Sequence, residues 1–434
     1  MPIFKYIRGM IKLLLPALIL GLISCRTGRS LSYQVKPDGE VKAETTTMPF
    51  LEQLLREDSL LSALIDKKDE YKIQVIYTRI DRNAANEPKF TDYFFNVNPA
   101  HYFYPASTVK MPAAIMALEK VATLKGQGID KETTMITGTA TPGQTPVYND
   151  PLTPDGRPTL ANYIRKVFLV SDNDAFNRTY EFVGQGYLNE GLRAKGYPET
   201  EIVHRLQISL PEEENRRTNP IRFLDRQGKL LWEQPEAYQT APYFQRRDSL
   251  GDGFMQGNAL VPHPMDFSHK NRIGLQSLHN ILRAVIFPMA VKPEQRFQMS
   301  EEDRLWLVKT MGEFPTESRF PPYPGQDTAG NKILFYGDGK TGPVIPGLRL
   351  FNKTGGAYGF LLDIAYFADL TNNVEFMLSA VIYCNQDNIL NDDKYDYETI
   401  GYPFMRSLGR KIYDHERSRQ REHTPDLSAF RFKW

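Results

Sequence analysis

The spacing of apolar residues changes several times along the chain, and each change predicts a different element. Apolar positions from Phe50 to Leu64 recur at helical spacing, whereas Tyr71 to Ile80 and Thr91 to Val97 are β-branched and aromatic runs typical of strands. Helical patterns return after Ser107 and fill about 160 to 196. From Phe50 onward, the pattern therefore predicts a helix, two strands and then a series of helices.

Strand-like runs return in the last third of the chain. The further helical patterns are Leu275 to Ile286, Glu302 to Met311 and a closing Tyr397 to Tyr413; the strand-like runs are Leu348 to Asn352, Phe360 to Phe367 and Phe376 to Tyr383. Strands near both ends with helices between them predict an α+β fold, with an antiparallel sheet in an α/β sandwich lobe and a separate all-helical lobe. We assign residues 48–106 and 265–434 to the α/β lobe and residues 107–264 to the helical lobe.

The N-terminus has the layout of a signal peptide. Basic residues precede an apolar run from Leu13 to Ile23, which is shorter than the roughly 20 residues that a membrane-spanning helix needs. Leu22-Ile23-Ser24-Cys25 resembles the lipobox of bacterial lipoproteins, which implies cleavage after residue 24 and a lipid anchor on Cys25. Residues 25–47 then form a tether, and the protein is expected in the cell envelope, attached to a bacterial membrane on its periplasmic or extracytoplasmic face. A plain secretory signal or an uncleaved interfacial anchor is the alternative.

Charge and histidine content exclude several classes of function. The 53 Lys and Arg residues nearly balance the 52 Asp and Glu residues, so no global field favours nucleic acid. The seven histidines show no H-x-H or H-E-x-x-H spacing, so a metal site is not expected, and His263 and His269 are interpreted as loop residues. Cys384 follows a predicted buried strand and is interpreted as a core residue without a disulfide partner.

Ser107 and Lys110 form the first candidate catalytic pair. A serine hydroxyl is a weak nucleophile until a base takes its proton, and positions i and i+3 share one face of a helix. Lys110 can act as that base if burial or another cation lowers its pKa. A chain of this length holds about one S-x-x-K by chance, so the pair needs support from other motifs.

Two further motifs supply that support. Ser171-Asp172-Asn173 lies in a break between helical patterns, where a hydroxyl can relay a proton and an amide can bind a carbonyl; the alternative is an ordinary helix cap. Lys-Thr-Gly occurs at Lys340-Thr341-Gly342, within a glycine-rich turn, and at Lys353-Thr354-Gly355, directly after a predicted strand. We favour the second, because Lys353 on an inner strand can hold a carboxylate and the backbone N–H of Gly356 can face an oxyanion.

In this chain order, the three motifs resemble those of class A β-lactamases and penicillin-binding proteins. The resemblance covers about Phe50 to Tyr413 and implies a serine β-lactamase or D,D-peptidase-like fold without a cofactor. For catalysis, it implies Ser107 as nucleophile, Lys110 as its base and Ser171 as proton donor to the leaving nitrogen. The N–H groups of Ser107 and Gly356 would form the oxyanion hole. For substrate binding, it implies Asn173 as ligand of the substrate amide, and Lys353, Thr354 and Gly355 as the site for the substrate carboxylate.

The chain departs from the pattern at the step that releases the acyl group. Class A β-lactamases carry a deacylating glutamate in an E-x-x-L-N pattern, which is missing here; Gln207 falls near its position, and the Glu212 to Glu214 triplet lies beyond it and is interpreted as a solvated charge run. The long step from Ser171 to Lys353 also requires an insertion, placed at about 221–264 and expected to shape a cleft for a larger substrate. Within it, Ile221 to Trp232 is predicted to form a hairpin around Gln227-Gly228, and Tyr238 to Gly257 an irregular loop.

The expected function is hydrolysis of β-lactams. The alternatives are a peptidoglycan D,D-carboxypeptidase or endopeptidase acting on stem peptides, and an envelope sensor that binds penicillin without hydrolysing it.

Overall fold

A computed structural model describes residues 49–340 and 343–434. The predicted signal peptide, the tether with Cys25, and Thr341 and Gly342 lie outside the described residues. The α-helices, numbered in chain order, are α1 Phe50–Arg56, α2 Ser59–Ile65, α3 Lys110–Thr123, α4 Leu160–Val170, α5 Asn173–Val183, α6 Gln185–Ala194, α7 Glu212–Asn215, α8 Leu275–Ile286, α9 Glu301–Gly312, α10 Ile333–Tyr336 and α11 Tyr402–Ser418. No helix in the described ranges is long and apolar enough to cross a bilayer.

The strands form one main sheet and several small ones. The strands are β1 Gln74–Arg82, β2 Pro88–Phe95, β3 Thr134–Thr137, β4 Arg217–Thr218, β5 Ile221–Leu224, β6 Leu230–Gln234, β7 Ala237–Tyr238, β8 Ser249–Leu250, β9 Gly253–Gln256, β10 Ala259–Val261, β11 Met265–Asp266, β12 Leu348–Ala357, β13 Phe360–Asp369, β14 Val374–Tyr383 and β15 Ile389–Leu390. The main sheet has five antiparallel strands in the order β12-β13-β14-β1-β2.

Helices cover both faces of the main sheet. Every residue of β13 and β14 is buried, which explains why their sequences are continuous apolar runs rather than alternating ones. On one face, α1, α2, α10 and α11 pack against the sheet in one hydrophobic cluster. On the other face, α3, α4, α5, α6, α8 and α9 contribute to a second cluster. The α+β fold with an antiparallel sheet, predicted from the order of the elements, is confirmed.

Element boundaries differ from the predicted ones where the backbone changes conformation. The strand predicted from Tyr71 begins at Gln74, because Lys72 has a left-handed φ of 46°. The closing helix predicted from Tyr397 begins with a π-helical turn, Tyr397–Gly401, and becomes α-helical only from Tyr402. Cys384, predicted in the core, is free and fully buried.

The inserted segment contains more regular structure than predicted. The predicted hairpin around Gln227-Gly228 is confirmed by the antiparallel pair β5 and β6. The irregular loop predicted for 238–257 is wrong in part, because this stretch contains β8 and β9. β9 pairs with β10 and, in parallel, with β15, a strand that follows the main sheet. β8 has two residues and β9 four, too few for a periodic apolar pattern, and the parallel partner β15 is remote in sequence.

Candidate active site

Ser107 lies where the chain enters α3, at the edge of the main sheet. It is the second residue of a 3₁₀ helix, Ala106–Val109, that leads directly into α3. Ser107 and Gly356 are among the residues that line an open cleft of about 370 Å³. Strand β12 passes close behind the serine, since a Cβ placed on Gly355 would lie 3.0 Å from the Ser107 backbone nitrogen. A side chain at 355 would therefore displace the nucleophile.

Lys110 is a buried lysine with a strongly lowered pKa. Its side chain is fully buried, and its Nζ donates hydrogen bonds to the backbone oxygen of Ser171 (2.5 Å), to Ser171 Oγ (3.2 Å) and to Asn173 Oδ1 (2.7 Å). Burial, and secondly the positive charge of Lys353, lower the Lys110 pKa to about 6. The three donated hydrogen bonds are those of the ammonium form; with a pKa of about 6, the group can lose one proton near neutral pH and then accept one from a hydroxyl.

The predicted contact between Ser107 and Lys110 is not formed in this structure. Within residues 49–340 and 343–434, the Ser107 hydroxyl makes no hydrogen bond, because the Lys110 amine is engaged by the three acceptors of the Ser171–Asn173 turn. Catalytic hydrogen bonds are often long or misaligned without substrate and tighten in the complex. The helical spacing nevertheless places both residues at the same end of α3.

Ser171 is the point at which the three motifs meet. It ends α4 in a left-handed conformation (φ 57°), and this turn directs the chain into α5. Asp172 caps α5 by accepting a hydrogen bond from the Ala175 N–H at 2.8 Å, so the capping role considered for this motif is real and belongs to Asp172. Ser171 Oγ is left to face two lysines, because Lys110 Nζ and Lys353 Nζ lie 3.2 and 2.9 Å from it.

Lys353 reaches Ser171 from β12 and is itself buried. Only 2% of it is exposed, and its Nζ also donates to the Thr354 carbonyl oxygen at 2.7 Å. Burial lowers the Lys353 pKa to about 7, while the negative charge of Asp363 on β13 partly opposes that shift. Burial raises the Asp363 pKa to about 6, although Asn352 donates to that carboxylate at 2.8 Å.

The second Lys-Thr-Gly motif lies elsewhere. The Lys340 side chain is 60% exposed and lies 3.9 Å from Glu398 on the surface. Thr341 and Gly342 are outside the described residues. Of the two motifs, the structure brings only Lys353 to the Ser107 cleft, as the sequence predicts.

Gln207 stands at the cleft, and the acidic triplet does not. Gln207 has a left-handed φ of 62°, lines the cleft with Ser107, and accepts a hydrogen bond from Asn173 Nδ2 at 2.8 Å. The triplet forms α7, where Glu212 binds Arg216 and His269 on the surface. The interpretation of the triplet as a solvated charge run agrees with this placement. Gln207 therefore places a neutral amide in the cleft, near the position at which the resemblance implies a deacylating glutamate.

Several cleft residues had no predicted role. Tyr104 and Tyr358 flank the motifs, and Asn391, Asp393 and Tyr395 come from the segment after β14. The Asn- and Asp-rich composition around 391 indicates turns, but no sequence pattern shows which cleft a turn will reach. Tertiary pairing of β15 with β9 brings this segment to the site.

Two other observations define the limits of the site. A larger groove of about 670 Å³, lined by residues that include Asp155, Arg165 and Trp306, contains none of the motif residues, so size alone does not identify the reactive cleft. Among the described residues, no group of three or more His, Cys, Asp or Glu side chains is placed to hold a metal ion.

The fold and the convergence of Ser107, Lys110, Ser171 and Lys353 define a serine hydrolase of the β-lactamase type. Residues 58–242, which include the first two motifs, match the model of a family described as "Beta-lactamase enzyme family". The resemblance predicted from the motifs is confirmed by this match.

Solved structures similar to this chain include β-lactamases from several bacteria. The chromosome-encoded β-lactamase of Vibrio parahaemolyticus is 13% identical, with 84% of this chain and 100% of that chain covered and a TM-score of 0.47. A β-lactamase from Xanthomonas campestris pv. campestris is 14% identical, with 83% and 98% covered and a TM-score of 0.45. A mutant of the class A β-lactamase of the last common ancestor of Gram-negative bacteria is 16% identical, with 85% and 100% covered and a TM-score of 0.44. No curated protein sequence matches the chain.

Proposed function

We propose that this protein opens β-lactams by forming an acyl-enzyme on Ser107. The observation that carries the proposal is the meeting of Lys110 and Lys353 on one oxygen, Ser171 Oγ, beside a cleft that Ser107 lines. This arrangement supports a base, a proton relay and an anion-binding cation that meet at Ser171, beside the cleft that Ser107 lines. A binding module has no need of all three together.

In the proposed acylation step, Lys110 is unprotonated and acts as a base, and Lys353 is protonated and acts as a cation. Unprotonated Lys110 takes the Ser107 proton as Oγ bonds to the lactam carbonyl carbon, and the backbone N–H groups of Ser107 and Gly356 stabilise the oxyanion. The carbonyl C–N bond then breaks, Ser171 gives its proton to the departing nitrogen, and Lys110 returns a proton to Ser171. Protonated Lys353, with Thr354, binds the substrate carboxylate and favours the productive orientation.

Release of the acyl group decides between hydrolysis and persistent binding. Water must lose a proton to attack the ester, and the Gln207 amide is not a base. This favours a second candidate function, a D,D-peptidase or penicillin-binding sensor for peptidoglycan stem peptides, in which the acyl-enzyme formed with a penicillin is long-lived. The two candidates share acylation and differ in the lifetime of the adduct.

The decisive experiment is intact-mass spectrometry of the full-length chain at successive times after mixing with benzylpenicillin. We expect a mass increase equal to the whole drug. Loss of the adduct with release of opened drug supports a β-lactamase, and a persistent adduct supports the peptidase or sensor. Ser107→Ala should form no adduct, while Ser59→Ala, an exposed serine of α2, should react like the wild type. An adduct on Ser107→Ala would refute the assignment of the nucleophile.

We also propose that the chain is a lipoprotein of the bacterial cell envelope, held to the membrane through Cys25. The support is the lipobox-like Leu22-Ile23-Ser24-Cys25 after a short apolar run. Cys25→Ser should abolish incorporation of a labelled fatty acid and release the protein from the membrane fraction, whereas Cys384→Ser should not. Continued labelling of Cys25→Ser would contradict the anchor.

A further inference from the structure

The segment 385–396 forms one side of the mouth of the Ser107 cleft. It follows β14, and Asn391, Asp393 and Tyr395 line the cleft. Both Asn391 and Asp393 have left-handed backbones (φ 61° and 60°), a conformation that Asn and Asp tolerate better than most residues. The Asn391 N–H donates to the Tyr395 hydroxyl at 2.9 Å, and β15 pairs with β9. These contacts hold the segment as a defined wall.

Asp393 is the charged residue of this wall that lines the cleft. It is exposed, and within the described residues it has no ion pair or side-chain hydrogen bond. The neighbouring Lys394 pairs instead with Asp392 at 3.3 Å. The cleft lining contains Asp393 but no Lys, Arg or His, because Lys110 and Lys353 are buried beneath it. The mouth of the cleft therefore carries a negative charge, and beneath it lies Lys353, which is cationic below its pKa of about 7.

Aromatic rings surround the same opening. Tyr104, Tyr358 and Tyr395 all line the cleft, and the first two rings pack perpendicular to each other with centroids 5.0 Å apart. The faces of aromatic rings attract cations, and an organic ammonium group is recognised by aromatic side chains combined with a carboxylate. An anionic ligand would be repelled by Asp393, and an uncharged apolar ligand would leave that carboxylate desolvated without a partner.

We propose that Asp393, with the partly exposed Tyr358 and Tyr395, forms a subsite for an ammonium group on the acyl side of the substrate. The proposal rests on the proposed function, because it assumes that the acyl group attached to Ser107 lies in this cleft. The preferred substrates are then zwitterionic: a carboxylate binds at Lys353, and a protonated amine close to the reacting carbonyl binds at Asp393. Aminoacyl penicillins and peptides with a free amine near the scissile bond belong to this class.

The test compares ampicillin with benzylpenicillin, two drugs that differ by one amino group. At about pH 6, below the usual α-amino pKa of about 7.7–8.0, that amine is protonated. We expect the full-length chain to be acylated about tenfold faster by ampicillin, as judged by intact mass. Asp393→Asn should remove that advantage and leave acylation by benzylpenicillin within about twofold. Asp252→Asn, an exposed aspartate outside the cleft lining, should change neither rate. Equal slowing of both drugs by Asp393→Asn, or of neither, would overturn the subsite.

Binding without reaction separates this inference from the proposed function. In the Ser107→Ala background, calorimetry should show tighter binding of ampicillin than of benzylpenicillin, and Asp393→Asn should equalise the two drugs. If the wild-type chain forms no adduct but the selectivity in binding is present, acylation is refuted and the subsite is supported. If adducts form but binding shows no selectivity, the subsite is refuted and acylation is supported.

Discussion

Gln207 shows how one side chain can decide the fate of an acyl-enzyme. It shares the cleft with Ser107 and holds the Asn173 amide at 2.8 Å. An amide can orient water through hydrogen bonds, but it cannot accept the proton that water must lose. The sequence identified the position, because Gln207 falls near the expected glutamate. Only the structure shows that the side chain lies in the cleft and that Glu212 and its neighbours do not.

Gln207→Glu should therefore accelerate deacylation. A carboxylate at this position can act as a general base, a role worth about 10²–10⁴ in rate. We expect the penicilloyl adduct to disappear at least about tenfold faster than in the wild type, measured by intact mass after excess drug is removed. Gln207→Ala, which loses the Asn173 contact and gains no base, should not accelerate release. If the adduct on Gln207→Glu is as long-lived as on the wild type, the water does not attack from this side.

At the scale of elements, the site depends on how closely β12 approaches the start of α3. A Cβ on Gly355 would lie 3.0 Å from the backbone nitrogens of Ser107 and Thr108 and 3.1 Å from the Pro105 carbonyl oxygen. These are backbone atoms that cannot rotate away. The glycine of the Lys-Thr-Gly motif thus allows β12 to approach the start of α3 closely, and the lysine of the motif supplies the charge.

Gly355→Ala should push the strand and the nucleophile apart. The close contacts require a shift of a few tenths of an ångström. Because a displacement of about 1 Å in a reacting group can cost about 10²-fold in rate, we expect acylation by benzylpenicillin to fall by roughly tenfold. Gly126→Ala, where an added Cβ meets nothing within 4 Å, should retain the wild-type rate. Stopped-flow acylation measures both, and circular dichroism confirms that each variant is folded. Wild-type acylation by Gly355→Ala would show that the two elements can separate without loss of geometry.

The elements themselves were largely predictable, and their partners were not. Apolar runs identified β13 and β14, and helical spacing identified α8 and α9, because burial of these elements leaves a periodic signature. The short strands β8 and β9 of the insertion lack that signature, and one partner of β9, the strand β15, lies far away in the chain. The same limit applies to the site: motif spacing predicted Ser107 and Lys353, whereas Asp393 reaches the cleft only through tertiary pairing.

At the scale of the whole molecule, the two lysines that contact Ser171 come from distant parts of the chain. Lys110 begins α3 and Lys353 lies in β12, and burial is the chief cause of the lowered pKa of each. Acylation needs Lys110 unprotonated and Lys353 protonated. The rate should therefore rise with pH through about 6, as Lys110 loses its proton, and fall through about 7, as Lys353 loses its charge.

This bell-shaped profile can be tested with a substitution that keeps the cation. Arginine remains charged across the accessible pH range, so Lys353→Arg should remove the fall in acylation rate above pH 7. The acid limb should stay at about 6 or move lower, because a permanent neighbouring charge further disfavours protonated Lys110. Lys340→Arg, on the surface, should reproduce the wild-type profile. Retention of the alkaline limb in Lys353→Arg would assign that limb to another group.

The parallel pairing of β15 with β9 also determines how the cleft can be altered. Ile389 and Leu390, in the wall that carries Asp393, lie alongside Gly253 and Phe254 of the insertion. Transplanting the wall into a related scaffold without the insertion would leave it without the strand against which it is formed. The two segments therefore constitute one transferable unit, and exchanges between related enzymes should carry over the character of the cleft mouth only when both are moved together.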